Sequence, residues 1–157
     1  MLTHIDKNNH PQMVDIGDKQ ITFRKAAAQA ILSFPQAVYD VLITSQGVTK
    51  KGPIIDTAII AGTMAAKKTH ELIPFCHVLP IDSCKFHCEY SDNHCLRIQA
   101  EITTHHKTGV EMEALTAVSI AALTVYDMCK ALSHDIIIEE IRLLSKEGGK
   151  SGSFKYD

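Results

Sequence analysis

The stretch that most constrains the fold runs from Thr108 to Leu132. From Ala114 to Leu132 it holds neither Gly nor Pro and is dominated by strong helix formers. It is therefore expected to form a helix of roughly five turns. A helix this apolar must be buried over most of its circumference, and its polar residues are not scattered. At about 100° per residue, Glu113, Thr116, Ser119, Thr124, Asp127 and Lys130 share one sector, interrupted by Ile120 and Leu123. The opposite sector carries Ala114, Val118, Ala121, Ala122, Val125 and Leu132. Charges next to a buried surface are costly unless paired or used. The stripe therefore points to a cleft or a subunit interface. Glu113 and Asp127 are 14 residues apart, about 21 Å along a helix. One small ligand does not span that distance on a single copy of the helix. Either the pocket is elongated or two subunits contribute opposite ends.

The other elements follow from shorter patterns. Residues 1–12 read as a polar lead-in and Met13–Ile16 as a short strand. Ile21–Leu32 is ambiguous: its alanines favour helix, but its apolar positions alternate, and a strand is the preferred reading. Pro35 suits the first turn of a helix through Gln36–Leu42, ended by Gln46-Gly47. Lys50-Lys51-Gly52-Pro53 is a loop. Asp56 is placed as the N-cap of a helix over Thr57–Glu71, whose Ala58, Ala61, Gly62, Ala65 and Ala66 would let another backbone come close. Ser83–Tyr90 and Leu96–Thr103 alternate strictly about the turn residues Ser91-Asp92-Asn93 and form a hairpin. A last strand covers Ile136 to Leu144, followed by a flexible loop, Gly148–Gly152. The order of helices and strands predicts a single α+β domain over residues 1–157. Its antiparallel sheet has helices packed on one face in the split βαβ manner.

Composition narrows the function. A net charge of -2 gives no footprint for general nucleic-acid binding. The alternating strands place Phe86 and Tyr90 on the apolar side, where they cannot stack bases. Five Cys, an odd number, together with a polar N-terminus, predict reduced thiols in a cytoplasmic protein. No uninterrupted apolar run reaches membrane-spanning length, so no membrane partner is expected.

Several residues invite chemistry and also have plainer readings. Cys84 and Cys88 have a tempting zinc spacing, but four residues along a strand separate their sulfurs by about 13 Å, so they read as core. No metal ligand set is expected. Gly149-Lys150-Ser151 resembles the end of a phosphate-binding loop, yet the glycine five residues earlier is replaced by Leu144 and no helix can follow. What remains is a glycine-flanked Lys150 near Lys146, able to wrap phosphate through backbone N–H groups or simply to be a solvated tail. His77 could serve as acid, base or phosphate donor, or as a structural histidine. Lys51 is by default a solvated lysine. Glu111 and Glu113 sit where a helix begins and complement its dipole, although Glu113 also lies on the polar stripe. Asp127 and Lys130 are spaced for an i,i+3 ion pair.

Taken together, Lys51-Gly52, Ile73-Pro74-Phe75-Cys76-His77, Lys107 through Ala117 with its Gly-Val-Glu-Met-Glu-Ala-Leu-Thr-Ala run, Tyr126-Asp127-Met128-Cys129-Lys130 and Gly148–Gly152 resemble the cyclic pyranopterin monophosphate synthases, the molybdenum cofactor biosynthesis protein C family. The likeness extends from about Met13 to the C-terminus. It implies a ferredoxin-like α+β fold and a homohexamer, a trimer of dimers with active sites between subunits. It also implies a lyase that turns 3′,8-cyclo-7,8-dihydroguanosine 5′-triphosphate into cyclic pyranopterin monophosphate and pyrophosphate. By position, Asp127 matches the family's catalytic acid/base, and Lys51 and Lys130 match pocket positions; Asp127–Lys130 is read as the catalytic acid/base pair, with Lys51 assisting. Phe75, Cys76, His77, Glu111, Met112, Glu113, Lys146 and Lys150 match the substrate pocket. No protein-bound cofactor is implied; any Mg2+ would come with the triphosphate, and the sequence does not tell whether it is required. The sequence departs from the family pattern at Phe75 and Val78, where Leu and Pro are usual, and at Pro53, where Asp is usual. The rival from another class is a non-catalytic purine-nucleotide-binding regulatory domain of the same fold.

Overall fold

The computed structural model describes residues 5–149 and 152–156. The chain opens with an extended segment that makes one bridge, Ile5 to Pro11, and then forms strand β1, Thr22–Ser33. Helix α1 (Gln36–Thr44) follows, and then a minimal hairpin of β2 (Val48–Thr49) and β3 (Gly52–Pro53). Helices α2 (Ile54–Lys67) and α3 (Thr69–Leu72) lead to the hairpin strands β4 (Ser83–Ser91) and β5 (Cys95–His106). Helix α4 (Glu111–Cys129), strand β6 (Ile137–Glu147) and the short strand β7 (Phe154–Lys155) complete the fold.

The main sheet has the order β4-β5-β1-β6-β7, and every pairing is antiparallel. Without the short β7, the first strand in sequence lies between the third and the fourth, and the second forms the edge. This is the split βαβ arrangement of a ferredoxin-like α+β fold. The strand reading of the alanine-rich segment holds because Ala26, Ala28, Ala30 and Leu32 all lie on the helix-covered face, fully buried. β5 matches them with Leu96, Ile98, Ala100 and Ile102. Onto this face α4 lays Ala114, Ala117, Val118, Ala121 and Val125, also fully buried. Small residues on both surfaces let helix and strand approach closely.

Helix α2 packs beside α4 through Ala58, Gly62, Ala65 and Ala66. At Gly62 an added Cβ would lie 2.6 Å from Phe86 Cζ and 2.8 Å from the Ala117 carbonyl oxygen. Half of the α4 window of highest hydropathy is buried inside the protein, so its apolar character is that of a core helix. The polar stripe is settled in its middle by local bonds. Ser119 Oγ donates to the Leu115 carbonyl and Thr124 Oγ1 to that of Ile120, each at 2.7 Å. The chemistry is left at the two ends of the helix.

Five expectations are corrected. Met13–Ile16 is not a strand; it makes no ladder among the described residues, and a side chain described below ties its Val14 carbonyl. Asp56 does not cap α2, which starts at Ile54 behind Pro53, and Asp56 sits inside its first turn where it faces the positive end of the dipole. The helix expected through Glu71 breaks at Lys68 into α2 and α3. The long helix begins at Glu111 and ends at Cys129, so Leu132 lies beyond it and is exposed. Finally, the tail adds β7 to the sheet, a pairing too short to announce itself in sequence. Lys150 lies outside the described residues.

Candidate active site

At the C-terminal end of α4, Asp127 is gripped by two lysines. Lys51 occupies the tight turn between β2 and β3, where Gly52 adopts φ +108°. The turn aims Lys51 Nζ at Asp127 Oδ2, 2.7 Å away, and at the Asp127 carbonyl oxygen, 2.9 Å away. Lys130 Nζ reaches Asp127 Oδ1 at 2.8 Å. The hydrogen bonds from Lys130 and Lys51 pull the Asp127 carboxyl down to about 2, and Asp127 in turn raises Lys130. In the single chain this is one carboxylate holding two ammonium groups, and all three are about half exposed.

The N-terminal end of α4 presents the opposite chemistry. Glu113 is only 4% exposed. Burial pushes its carboxyl up to about 7, and the charge of Glu111 adds to the rise. Glu111 makes an ion pair with Lys146 at 2.9 Å. Its carboxylate lies against Gly109, where an added Cβ would sit 2.0 Å from Oε2. Around these groups is a pocket of about 280 Å³, lined by Phe75, Cys76, His77, Met112, Glu113 and residues of the 14–19 segment. His77 Nε2 meets the Val14 carbonyl oxygen at 2.7 Å and so ties that segment across the pocket. Burial, with the nearby Glu113 charge, raises the Cys76 thiol, which disfavours its thiolate. A second cavity of about 710 Å³ shares Lys19, Thr108, Gly109 and Glu111 as wall and is flanked by Arg24, Lys107, Lys146 and Gly149. Four cations against Asp18 and Glu111 give this cavity a net positive lining.

Residues 13–149 match the MoaC family. The chain belongs to the MoaC family. Within that family it is 56% identical over 149 residues to a cyclic pyranopterin monophosphate synthase of Xanthomonas campestris pv. campestris (strain B100), covering 95% of this chain and 90% of that one. It is 48% identical over 154 residues to the cyclic pyranopterin monophosphate synthase of Helicobacter pylori (strain HPAG1), covering 98% and 96%. Against a molybdenum cofactor biosynthesis bifunctional protein of Synechocystis sp. (strain ATCC 27184 / PCC 6803 / Kazusa) the identity is 54% over 155 residues, 96% of this chain and 45% of that one.

In this MoaC-family chain the residues singled out by sequence fall into two groups. Lys51, Asp127 and Lys130 come together directly. Phe75, Cys76, His77, Glu111, Met112, Glu113 and Lys146 gather at the other end of α4. One chain does not bring the two groups together. Sequence reasoning missed Asp18, Lys19, Arg24 and Lys107. Lys107 lies in the quoted motif, and its Nζ donates to the Gly17 carbonyl at 2.5 Å. Arg24 lies on β1 just before Lys25 and the alanine run, and nothing in the alternation reveals that it meets the Gly148-Gly149 backbone.

Proposed function

We infer that this protein is a cyclic pyranopterin monophosphate synthase of molybdenum cofactor biosynthesis. It converts 3′,8-cyclo-7,8-dihydroguanosine 5′-triphosphate to cyclic pyranopterin monophosphate and pyrophosphate, which makes it a phosphorus–oxygen lyase. The observation that carries this reading is the pair of joined cavities. The smaller has a mixed lining with one buried carboxyl and suits a heterocycle, while the larger is walled by Lys19, Arg24, Lys107 and Lys146 and suits a triphosphate. Cations placed there stabilise the departing pyrophosphate. Magnesium, where it enters, travels with the triphosphate as part of the substrate.

Rebuilding the purine ring needs proton transfers, and the two ends of α4 offer different carriers. Asp127 is an ionised carboxylate that pairs with Lys51 and raises the Lys130 ammonium, setting both amines beside it as proton carriers. Glu113, titrating near 7, can hold or release a proton beside the heterocycle. The two ends cooperate if copies of the chain pair with α4 antiparallel. Support for such pairing comes from Ile60 and Met64 on α2 and Leu123 on α4, all exposed on the surface between the two clusters. The assembly is then a homohexamer built from dimers with shared sites. The free thiols of Cys76, Cys84, Cys88, Cys95 and Cys129 suit a reducing, cytoplasmic setting.

The test uses the enzymatically prepared cyclised dihydro-GTP. The wild type should release one pyrophosphate per substrate, and Asp127→Asn and Lys51→Ala should each slow turnover by about a hundredfold or more. Near wild-type rates from both variants overturn the catalytic assignment. A chain that binds the substrate and releases no pyrophosphate is a regulatory nucleotide-binding domain instead.

A further inference from the structure

The glycine loop after β6 forms part of the larger cavity through Lys146 and Gly149. Gly148 and Gly149 sit at φ +93° and +82° and have no side chains with which to hold themselves. A loop of that kind is placed by its neighbours. Arg24 supplies one support, since its Nη1 fills the space that an added Cβ on Gly149 would need. The other support comes from beyond the loop. After Gly152 the chain returns to β6, pairing Phe154 with Lys146 and Lys155 with Ser145. A ladder of two residue pairs is weak by itself.

The ladder is extended by Tyr156. Its backbone N–H donates to the Leu144 carbonyl at 2.7 Å. Its ring lies under the Arg142 guanidinium, 3.9 Å from Cζ to the centroid. Arg142 does not float. Its Nε forms an ion pair with Glu140 Oε1 at 2.9 Å, without hydrogen-bond geometry, and Gln29 Nε2 donates to that same oxygen at 2.6 Å. Gln29 Oε1 accepts from Gln99 Nε2 at 3.1 Å. Gln29 is 5% exposed in the middle strand of the sheet, so the chain of contacts is rooted in a buried part of the sheet.

We propose that Tyr156 is a positioning residue for the reaction: seated on Arg142, it clamps β7 to β6 and so fixes Lys146 and the Gly148-Gly149 backbone against the phosphates. This rests on the reading that the loop walls the triphosphate cavity. The clamp uses the face of the ring, so the hydroxyl is dispensable and the aromatic ring is not. Tyr156 touches no reacting atom, so its loss weakens substrate binding and leaves the chemical step intact.

The experiment compares full-length wild type, Tyr156→Ala and Tyr156→Phe. Hydrogen exchange read by mass spectrometry should show residues 144–149 exchanging about five- to tenfold faster in Tyr156→Ala, with α4 unchanged and Tyr156→Phe like wild type. Steady-state pyrophosphate release should show KM raised by a similar factor in Tyr156→Ala, with kcat within about twofold. Unchanged exchange overturns the clamp. Faster exchange with unchanged KM overturns its role in positioning. A fall in kcat alone, or loss of protection across α4 as well, assigns Tyr156 to chemistry or to general stability instead. If the wild type released no pyrophosphate, the proposed function would fail, while the exchange arm would still decide the clamp.

Discussion

Two acidic residues on one helix sit in opposite electrostatic conditions, and the difference has measurable consequences. Asp127 is surrounded by cations and water, so it stays ionised far below neutral pH. Glu113 is surrounded by apolar groups and another carboxylate, so it holds its proton to about 7. An unfolded chain releases that proton near 4.5, the ordinary value. Between these values the folded state binds the extra proton, so stability falls as pH rises through the window. The burden is on the order of 3 kcal/mol once both states are ionised. Thermal unfolding from pH 5 to 8 should therefore show Glu113→Gln gaining on the wild type as pH increases. Parallel curves for the two proteins would contradict the burial of an ionisable Glu113. Asp127→Asn should lose activity at every pH in that range without this pH-dependent stability change, because Asp127 is ionised throughout.

Helix α4 is placed by glycines that act in different ways. A methyl at Gly62 meets the packed ring of Phe86 and the backbone of α4, neither of which can step aside. Gly62→Ala should cost about 1–3 kcal/mol, read as a lowered Tm. A methyl at Gly109 meets only the end of the Glu111 side chain, which can swing away. Gly109→Ala should therefore melt close to the wild type, yet raise KM several-fold, because Glu111 no longer pairs with Lys146. A large fall in Tm for Gly109→Ala would show that the loop before α4 is strained in some other way. The contrast tests whether the element is fixed by α2 and the sheet while its first turn serves the pocket.

At the scale of the whole molecule, the separation of the two clusters is the main fact. Glu113 and Asp127 stand about 21 Å apart on a rigid helix, and no bending of α4 closes that gap. The proposed two-fold pairing of chains would close it, with each site drawing one cluster from either copy. Mixing Asp127→Asn with Lys146→Ala after dissociation and reassembly should then restore about a quarter of wild-type turnover, from the one intact site in each mixed pair. Mixtures as inactive as the separate variants would place each site within a single chain.

The sequence by itself determined the alternation of the β4–β5 hairpin, the long apolar helix and the antiparallel α+β order, because side-chain period and helix propensity are local properties. It also marked Lys51, Asp127 and Lys130, since two of them share a helix face and the quoted motifs carried the third. Only the tertiary structure decided that Ser119 and Thr124 satisfy themselves, that Glu113 is buried, and that Lys19, Arg24 and Lys107 converge on one cavity. Their convergence depends on β1 lying beside β6 and on an extended segment held by His77, neither of which leaves a periodic trace. Local pattern fixes which face of an element is apolar. Burial, and with it the protonation of Glu113, depends on what the rest of the chain brings against that face.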